Sequence, residues 1–189
     1  MLPTVPPRLT RAERPYIDDP MPIDRDRYRS VAGAFPTGVT VVTTIDANGE
    51  PKGLTTQSFV GLSTEPALMM ISVDKTSRTL PALQHQRAFV INFLKVGSEA
   101  LATLFASKSD EKFRDVRWQP STAAKGSPIL RDASVAYAEC VVADLIEAGD
   151  HWIFIARVEG GEVLGGVPLM YYRRTYAAWP EEKPAPQVG

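Results

Sequence analysis

Four hydroxyls, those of Thr55, Thr56, Ser58 and Ser63, stand close together in the otherwise apolar stretch Gly53-Leu54-Thr55-Thr56-Gln57-Ser58-Phe59-Val60-Gly61-Leu62-Ser63. Read as one strand, alternation places Thr56, Ser58 and Val60 on one face and Thr55, Gln57 and Phe59 on the other. Small donors beside apolar walls suit a phosphate and a flat aromatic ring, and the glycines let a ligand or another backbone approach. The same residues also describe a plain barrel strand whose threonines reflect β-propensity. Two further groups carry chemistry. Ser77-x-Thr79 opens a helix, where free N–H groups and the dipole favour phosphate, or where a hydroxyl simply caps. Gly149-Asp150-His151 follows a turn between two strands, so the imidazole stands at a sheet end, with Asp150 able to set its tautomer.

Composition narrows the classes. The chain has 189 residues, 44% hydrophobic and 23% charged, which suits one globular domain with a sizeable core. A formal net charge of -1 argues against a nucleic-acid protein, which would carry a basic face. One cysteine, Cys140, excludes an intrachain disulfide, and with two histidines, His85 and His151, it leaves no zinc set. We expect no metal. The longest strongly apolar run, residues 67–71, is far too short to cross a bilayer, and no signal-like segment opens the chain. A cytoplasmic protein with no membrane role is the expectation.

The elements that would position these groups follow from pattern. Residues 1–23 hold six prolines and read as an extended arm, and residues 180–189 as a proline-rich tail, leaving 24–179 as the domain. Asp24 caps a helix over 25–35, with Tyr28, Val31, Ala32 and Phe35 at helical spacing, and Pro36 ends it. Residues 39–45 are a β-branched strand, Asp46-Ala47-Asn48-Gly49 a hairpin turn, and the hydroxyl stretch the return strand. Strands follow at 67–73, 88–94, 135–146, 152–158 and 168–172. Short helices start after Ser77 and Ser98, and a long polar loop spans 107–128. Asn92 stands in an apolar strand and needs partners if buried. Lys108 and Lys112 could neutralise phosphate or belong to a solvated loop. Strands joined by hairpins, without strand–helix alternation, predict a mainly β fold: an antiparallel barrel with a few peripheral helices.

No G-x-G-x-x-G follows a strand, and there is no Walker loop or G-x-S-x-G elbow. The ordered set of motifs instead resembles the flavin reductase-like family, the FMN-binding split barrel, and most of all the reductase components of two-component flavin-dependent monooxygenases. The matching pieces are Phe35-Pro36-Thr37-Gly38-Val39, Gly49-x-Pro51-x-Gly53-x-Thr55, Ser58-Phe59 with Leu62-Ser63, Ser77-x-Thr79, Asn92-Phe93-Leu94, Phe105-Ala106, Lys112-Phe113 and Gly149-Asp150-His151. They run in order from about residue 27 to 177.

The resemblance implies a Greek-key split barrel, a homodimer, and reduction of FMN or FAD by NADH or NADPH. The reduced flavin would pass to a separate oxygenase. It implies that Pro36, Thr37, Gly38 and Val39 run beside the flavin ring. Thr55, Thr56, Gln57, Ser58 and Ser63 would meet its edge, ribityl chain or phosphate. Ser77, Thr79, Asn92, Phe93, Leu94, Lys108 and Phe113 complete the cofactor set, and Gly149, Asp150 and His151 lie by the nicotinamide. His151 is the expected binding and orienting residue, with possible proton support. Gly61, Thr56, Gln57 and Ala156 depart from the residues common in relatives, and those departures bear on cofactor preference. Two rivals remain: a flavin-binding protein without nicotinamide turnover, and a pyridoxamine-phosphate-oxidase-like enzyme on the same barrel.

Overall fold

A computed structural model describes residues 23–180. The arm and the tail expected at the two ends lie, but for Ile23 and Pro180, outside the described residues. The elements in chain order are α1 (Arg25–Ala32), β1 (Thr37–Gly38), β2 (Thr40–Ile45), β3 (Pro51–Thr56), β4 (Phe59–Thr64), β5 (Ala67–Asp74), α2 (Leu80–Gln86), β6 (Ala88–Leu94) and α3 (Glu99–Ala106). There follow β7 (Gln119–Pro120), β8 (Pro128–Ile129), a 3-10 turn (Arg131–Ala133), β9 (Ser134–Ala148), β10 (His151–Val163), β11 (Leu169–Tyr172) and β12 (Thr175–Ala178).

Seven strands form one antiparallel sheet in the order β3-β2-β6-β9-β10-β5-β4. β3 and β4 are consecutive in the chain, separated by Gln57 and Ser58 alone, yet they occupy opposite edges of that sheet. The sheet must therefore curl until its edges approach, which is the physical content of a split barrel. This corrects one expectation: residues 53–63 are not a single return strand. The break at Gln57–Ser58 has a local cause. The Ser58 N–H donates to the Thr56 hydroxyl (3.0 Å), and the Phe59 N–H donates to the Gln57 carbonyl (2.9 Å). These short-range bonds turn the chain out of the ladder.

Period-2 alternation on β2 feeds two cores. Val42 joins Ile71, Leu83, Phe89, Ile91 and Phe154 in one cluster. Val41 joins Leu94, Phe105, Leu130 and Leu169 in another, so α3 lies over that face. Leu80 and Leu83 bring α2 into the first cluster. Removing a fully buried side chain such as Leu83 would cost about 2–5 kcal/mol.

Other expectations shift. Asp24 does cap α1, accepting the Arg27 N–H at 2.8 Å, but the helix stops at Ala32, where Gly33 takes over. Its apolar stripe is not packed in this chain: Tyr28, Val31 and Phe35 are all exposed. Gly160 and Gly161 lie inside β10, which runs on to Val163 and shifts register beside them. A Cβ on Gly161 would stand 2.6 Å from the Tyr137 carbonyl, which explains why β9 can pack there only against glycine. The last strand also has an unforeseen partner, β12. No helix among the described residues is long and apolar enough to cross a membrane.

Candidate active site

The site is assembled where the sheet edges approach. Thr37 and Gly38 pair with Tyr171 and Met170, and the Val39 carbonyl accepts the Leu94 N–H at 3.0 Å. One residue on, Thr40 pairs with Thr56 on one side and Phe93 on the other. Phe93 in turn meets Phe59 edge-on, with ring centroids 4.9 Å apart. Pro36, Thr37, Gly38, Val39, Thr56, Gln57, Ser58, Phe93 and Leu94 therefore converge at one end of the barrel. Within this group Thr37 Oγ1 is buried without a hydrogen-bond partner. Gln57 and Ser58 are exposed, and Gln57 lines one groove with Tyr171, the strand partner of Thr37. A buried hydroxyl with nothing to bond costs on the order of 1–3 kcal/mol unless a ligand supplies the partner.

A second group gathers on the Gly53 carbonyl. It accepts the Thr79 hydroxyl at 2.9 Å and the Lys112 ammonium at 3.1 Å. Lys112 also donates to the Phe105 carbonyl at 2.7 Å, and its half-burial holds its pKa below the usual lysine range. A Cβ on Gly53 would run into the Phe105 ring at 2.7 Å, so glycine permits α3 to sit on β3. The Thr55 hydroxyl donates to the Ala102 carbonyl at 2.6 Å. Phe113 packs edge-on against Phe105 at 5.0 Å. These contacts tie α3 and the following loop to β3.

A third group stands at the turn before β10. His151 Nδ1 lies 2.7 Å from Asp150 Oδ1, and His151 pairs in register with Asp74. The hydrogen bond to His151 holds the Asp150 carboxyl below its ordinary range. Asp74 is also held low, first by the Thr76 N–H and then by the Thr76 hydroxyl. The Asp74 carbonyl accepts the Ser77 N–H at 2.9 Å, so Ser77 adjoins His151 through one turn. Gly149 has φ +57°, the left-handed conformation that this tight turn requires.

Several expected ligand-binding groups are already occupied. Asn92 is fully buried and donates to the Val41 carbonyl and the Thr43 hydroxyl, both at 3.1 Å, while its Oδ1 accepts the Leu130 N–H at 2.7 Å. Its side chain braces β2, β6 and the 3-10 turn. The Thr55 and Thr79 hydroxyls are likewise spent on carbonyls, and the Phe113 ring is packed. The Thr79 N–H donates to Ser77 Oγ at 3.3 Å, and α2 starts at Leu80, three residues beyond Ser77. Ser63 lies five residues along β4 from Ser58, about 17 Å away at strand rise, and one chain does not bring them together. Lys108 is exposed, and its carbonyl accepts from Arg78, which also pairs with Asp110 at 3.0 Å. Arg78 went unread in the sequence although it stands inside Ser77-x-Thr79.

An antiparallel split barrel with a hydroxyl-bearing break between its edge strands defines the class. Residues 32–180 match the model of the flavin reductase like domain, and the chain belongs to that family. It is 45% identical over 163 residues, 85% of each chain, to a flavin reductase (NADH) of Kitasatospora aureofaciens. It is 38% identical to the reductase subunit HsaB of a flavin-dependent monooxygenase of Rhodococcus jostii, over 87% of this chain and 83% of that one. The NADH:FAD oxidoreductase SgcE6 of Streptomyces globisporus C-1027, solved with NAD and FAD fragments, superposes with a TM-score of 0.76 at 33% identity, covering 86% of this chain and 94% of the other. The expected family, the barrel and the oxidoreductase class stand. The chain is an NAD(P)H-dependent flavin reductase.

Proposed function

We propose that this chain holds FMN or FAD at the Thr37 end of the barrel, takes hydride from NADH or NADPH beside His151, and supplies reduced flavin to a separate oxygenase. The observation that carries the siting is the buried, unpartnered hydroxyl of Thr37, whose strand partner Tyr171 lines one groove with the exposed Gln57. A flavin fits that donor set, because its ring edge and ribityl chain offer acceptors for hydroxyl and amide donors. When bound, the flavin supplies the hydride-accepting ring, so the protein needs no nucleophile.

The residues divide the remaining work. Thr37 bonds the cofactor edge, and Gly38, where an added Cβ would meet nothing within 4 Å, leaves that side open. Gln57 and Ser58 offer exposed polar groups. The Phe59–Phe93 pair gives a rigid apolar wall that helps exclude water. Asp150 holds the His151 ring in place by accepting from Nδ1, which leaves Nε2 to meet the nicotinamide nucleotide. We also propose a homodimer, in which a second copy covers the exposed Tyr28, Val31 and Phe35 and brings its own β4 with Ser63 toward the cleft. We also propose a cytoplasmic site of action; the one thiol, Cys140, is buried, and desolvation pushes its pKa up to about 12.

The test is rapid mixing of the full chain with FMN or FAD and NADH or NADPH, followed through nicotinamide absorbance. Oxidation faster than with free flavin is expected. A rate equal to the protein-free control for all four combinations overturns the reading. Sedimentation at several concentrations checks the dimer, and a single species of monomer mass overturns that part alone.

A further inference from the structure

The β11–β12 hairpin turns on two residues, Arg173 and Arg174, between the paired Tyr172 and Thr175. Both have positive φ, 46° and 66°. That is the two-residue hairpin conformation that normally calls for Asn-Gly, because side chains are strained there. Two consecutive arginines kept in a conformation that disfavours them point to a use for their charge. Both line a groove of about 610 Å³, whose opposite wall is α1 with Arg29. Among the described residues neither Arg173 nor Arg174 has a carboxylate partner, and Arg173 lies 5.2 Å from the Tyr172 ring centre. Asp26 is the one acidic residue lining the groove and stands 3.7 Å from Arg29, so the groove keeps an excess of positive charge. Tyr172 adds exposed aromatic surface. Gln57 and Phe35 lead from the groove into the segments that carry the Thr37 cleft.

Guanidinium groups beside aromatic faces recognise phosphate joined to a purine, by charge-assisted bonds and stacking. The volume is that of a site for a compound of nucleotide size. We propose that this groove holds the phosphate-linked adenylate half of a dinucleotide whose reacting ring lies at the Thr37 cleft. The proposal rests on the flavin reductase reading. The dinucleotide is FAD or the nicotinamide cofactor; the chemistry recognised is the same.

The test compares the full chain with Arg173→Asn/Arg174→Gly, a replacement that suits the turn while removing both charges. Thermal melting is expected to be equal or higher in the variant. Steady-state KM is measured for FMN, FAD, NADH and NADPH, and ADP binding by calorimetry. A rise of tenfold or more in the KM of FAD alone, or of NADH or NADPH alone, is expected, with the KM of FMN within twofold and ADP binding weakened tenfold. Arg29→Gln, on the other wall, is expected to shift the same KM. All four KM values within twofold of the parent would overturn the proposal. So would a KM for FMN that rises as much as that for FAD, since the arginines would then serve the flavin's own phosphate. Absence of flavin reduction in the parent chain would instead sink the reductase reading, with ADP binding still deciding the groove.

Discussion

Hydroxyls only a few residues apart in this barrel, those of β2 and that of Thr37, are used differently. On β2, Thr40, Thr43 and Thr44 are buried and each donates to a carbonyl: Thr56 at 2.7 Å, Pro128 at 2.5 Å and Ala88 at 2.8 Å. Thr55 and Thr79 join them. Three residues before Thr40, Thr37 is also buried at its oxygen, yet it bonds nothing. The first set spends its polarity on holding strands, helices and loops together. The second keeps it in reserve. A buried polar atom without a partner costs free energy, and on the siting proposed above it is satisfaction, not residue type, that separates scaffold from site.

That contrast can be broken most sharply at Asn92. Asn92→Ala should destabilise by about 3 kcal/mol, since it leaves the Leu130 N–H and the Val41 carbonyl without their bonds. A fall of about 6–12 °C in Tm follows for a domain of this size. Unchanged stability with weakened flavin binding would move Asn92 from the scaffold to the site. Next comes Thr37→Val, which should weaken flavin binding about tenfold, equivalent to about 1.4 kcal/mol, while Tm holds or rises slightly. Fluorescence titration of flavin against the variant checks it, and a drop in Tm with intact affinity would reverse the assignment.

His151→Ala should raise the nicotinamide KM about threefold to tenfold, on the order of 1 kcal/mol, and leave flavin affinity alone. An unaltered KM removes His151 from the cleft. The smallest effect concerns Asp150. Its carboxyl is held below the free value of 3.8, so its bond to His151 stabilises fully above that pH and is lost as pH falls through the lowered value. Asp150→Asn should therefore lower Tm slightly across the neutral region, with the variant and parent Tm–pH curves converging as pH falls below about 4. Melts from pH 2 to 7 would show it; a parallel curve would deny the linkage.

Much was legible in the chain because it is written locally. The β-branched run of β2, the Asn48-Gly49 turn and the Asp24 cap each follow from a few neighbouring residues, and each formed. The ordered motifs placed the family and pointed to Thr37, Gln57, Ser58 and His151. Residues 53–63 misled, because alternation cannot see which edge of a sheet a strand will join. The Thr56 hydroxyl breaks the run, and sheet closure then sends β3 and β4 to opposite edges. The signal for the arginine turn was present in Tyr172-Arg173-Arg174-Thr175, but nothing local says that the two residues would be forced to positive φ.

By itself the sequence determined the strand-rich architecture and the family, since these depend on residue types and their order. Only the tertiary structure decided which hydroxyls are consumed and which stay free. Hydrogen-bond satisfaction depends on partners dozens of residues away, as Thr55 with Ala102 and Thr79 with Gly53 make plain, and no spacing along one chain encodes that distance.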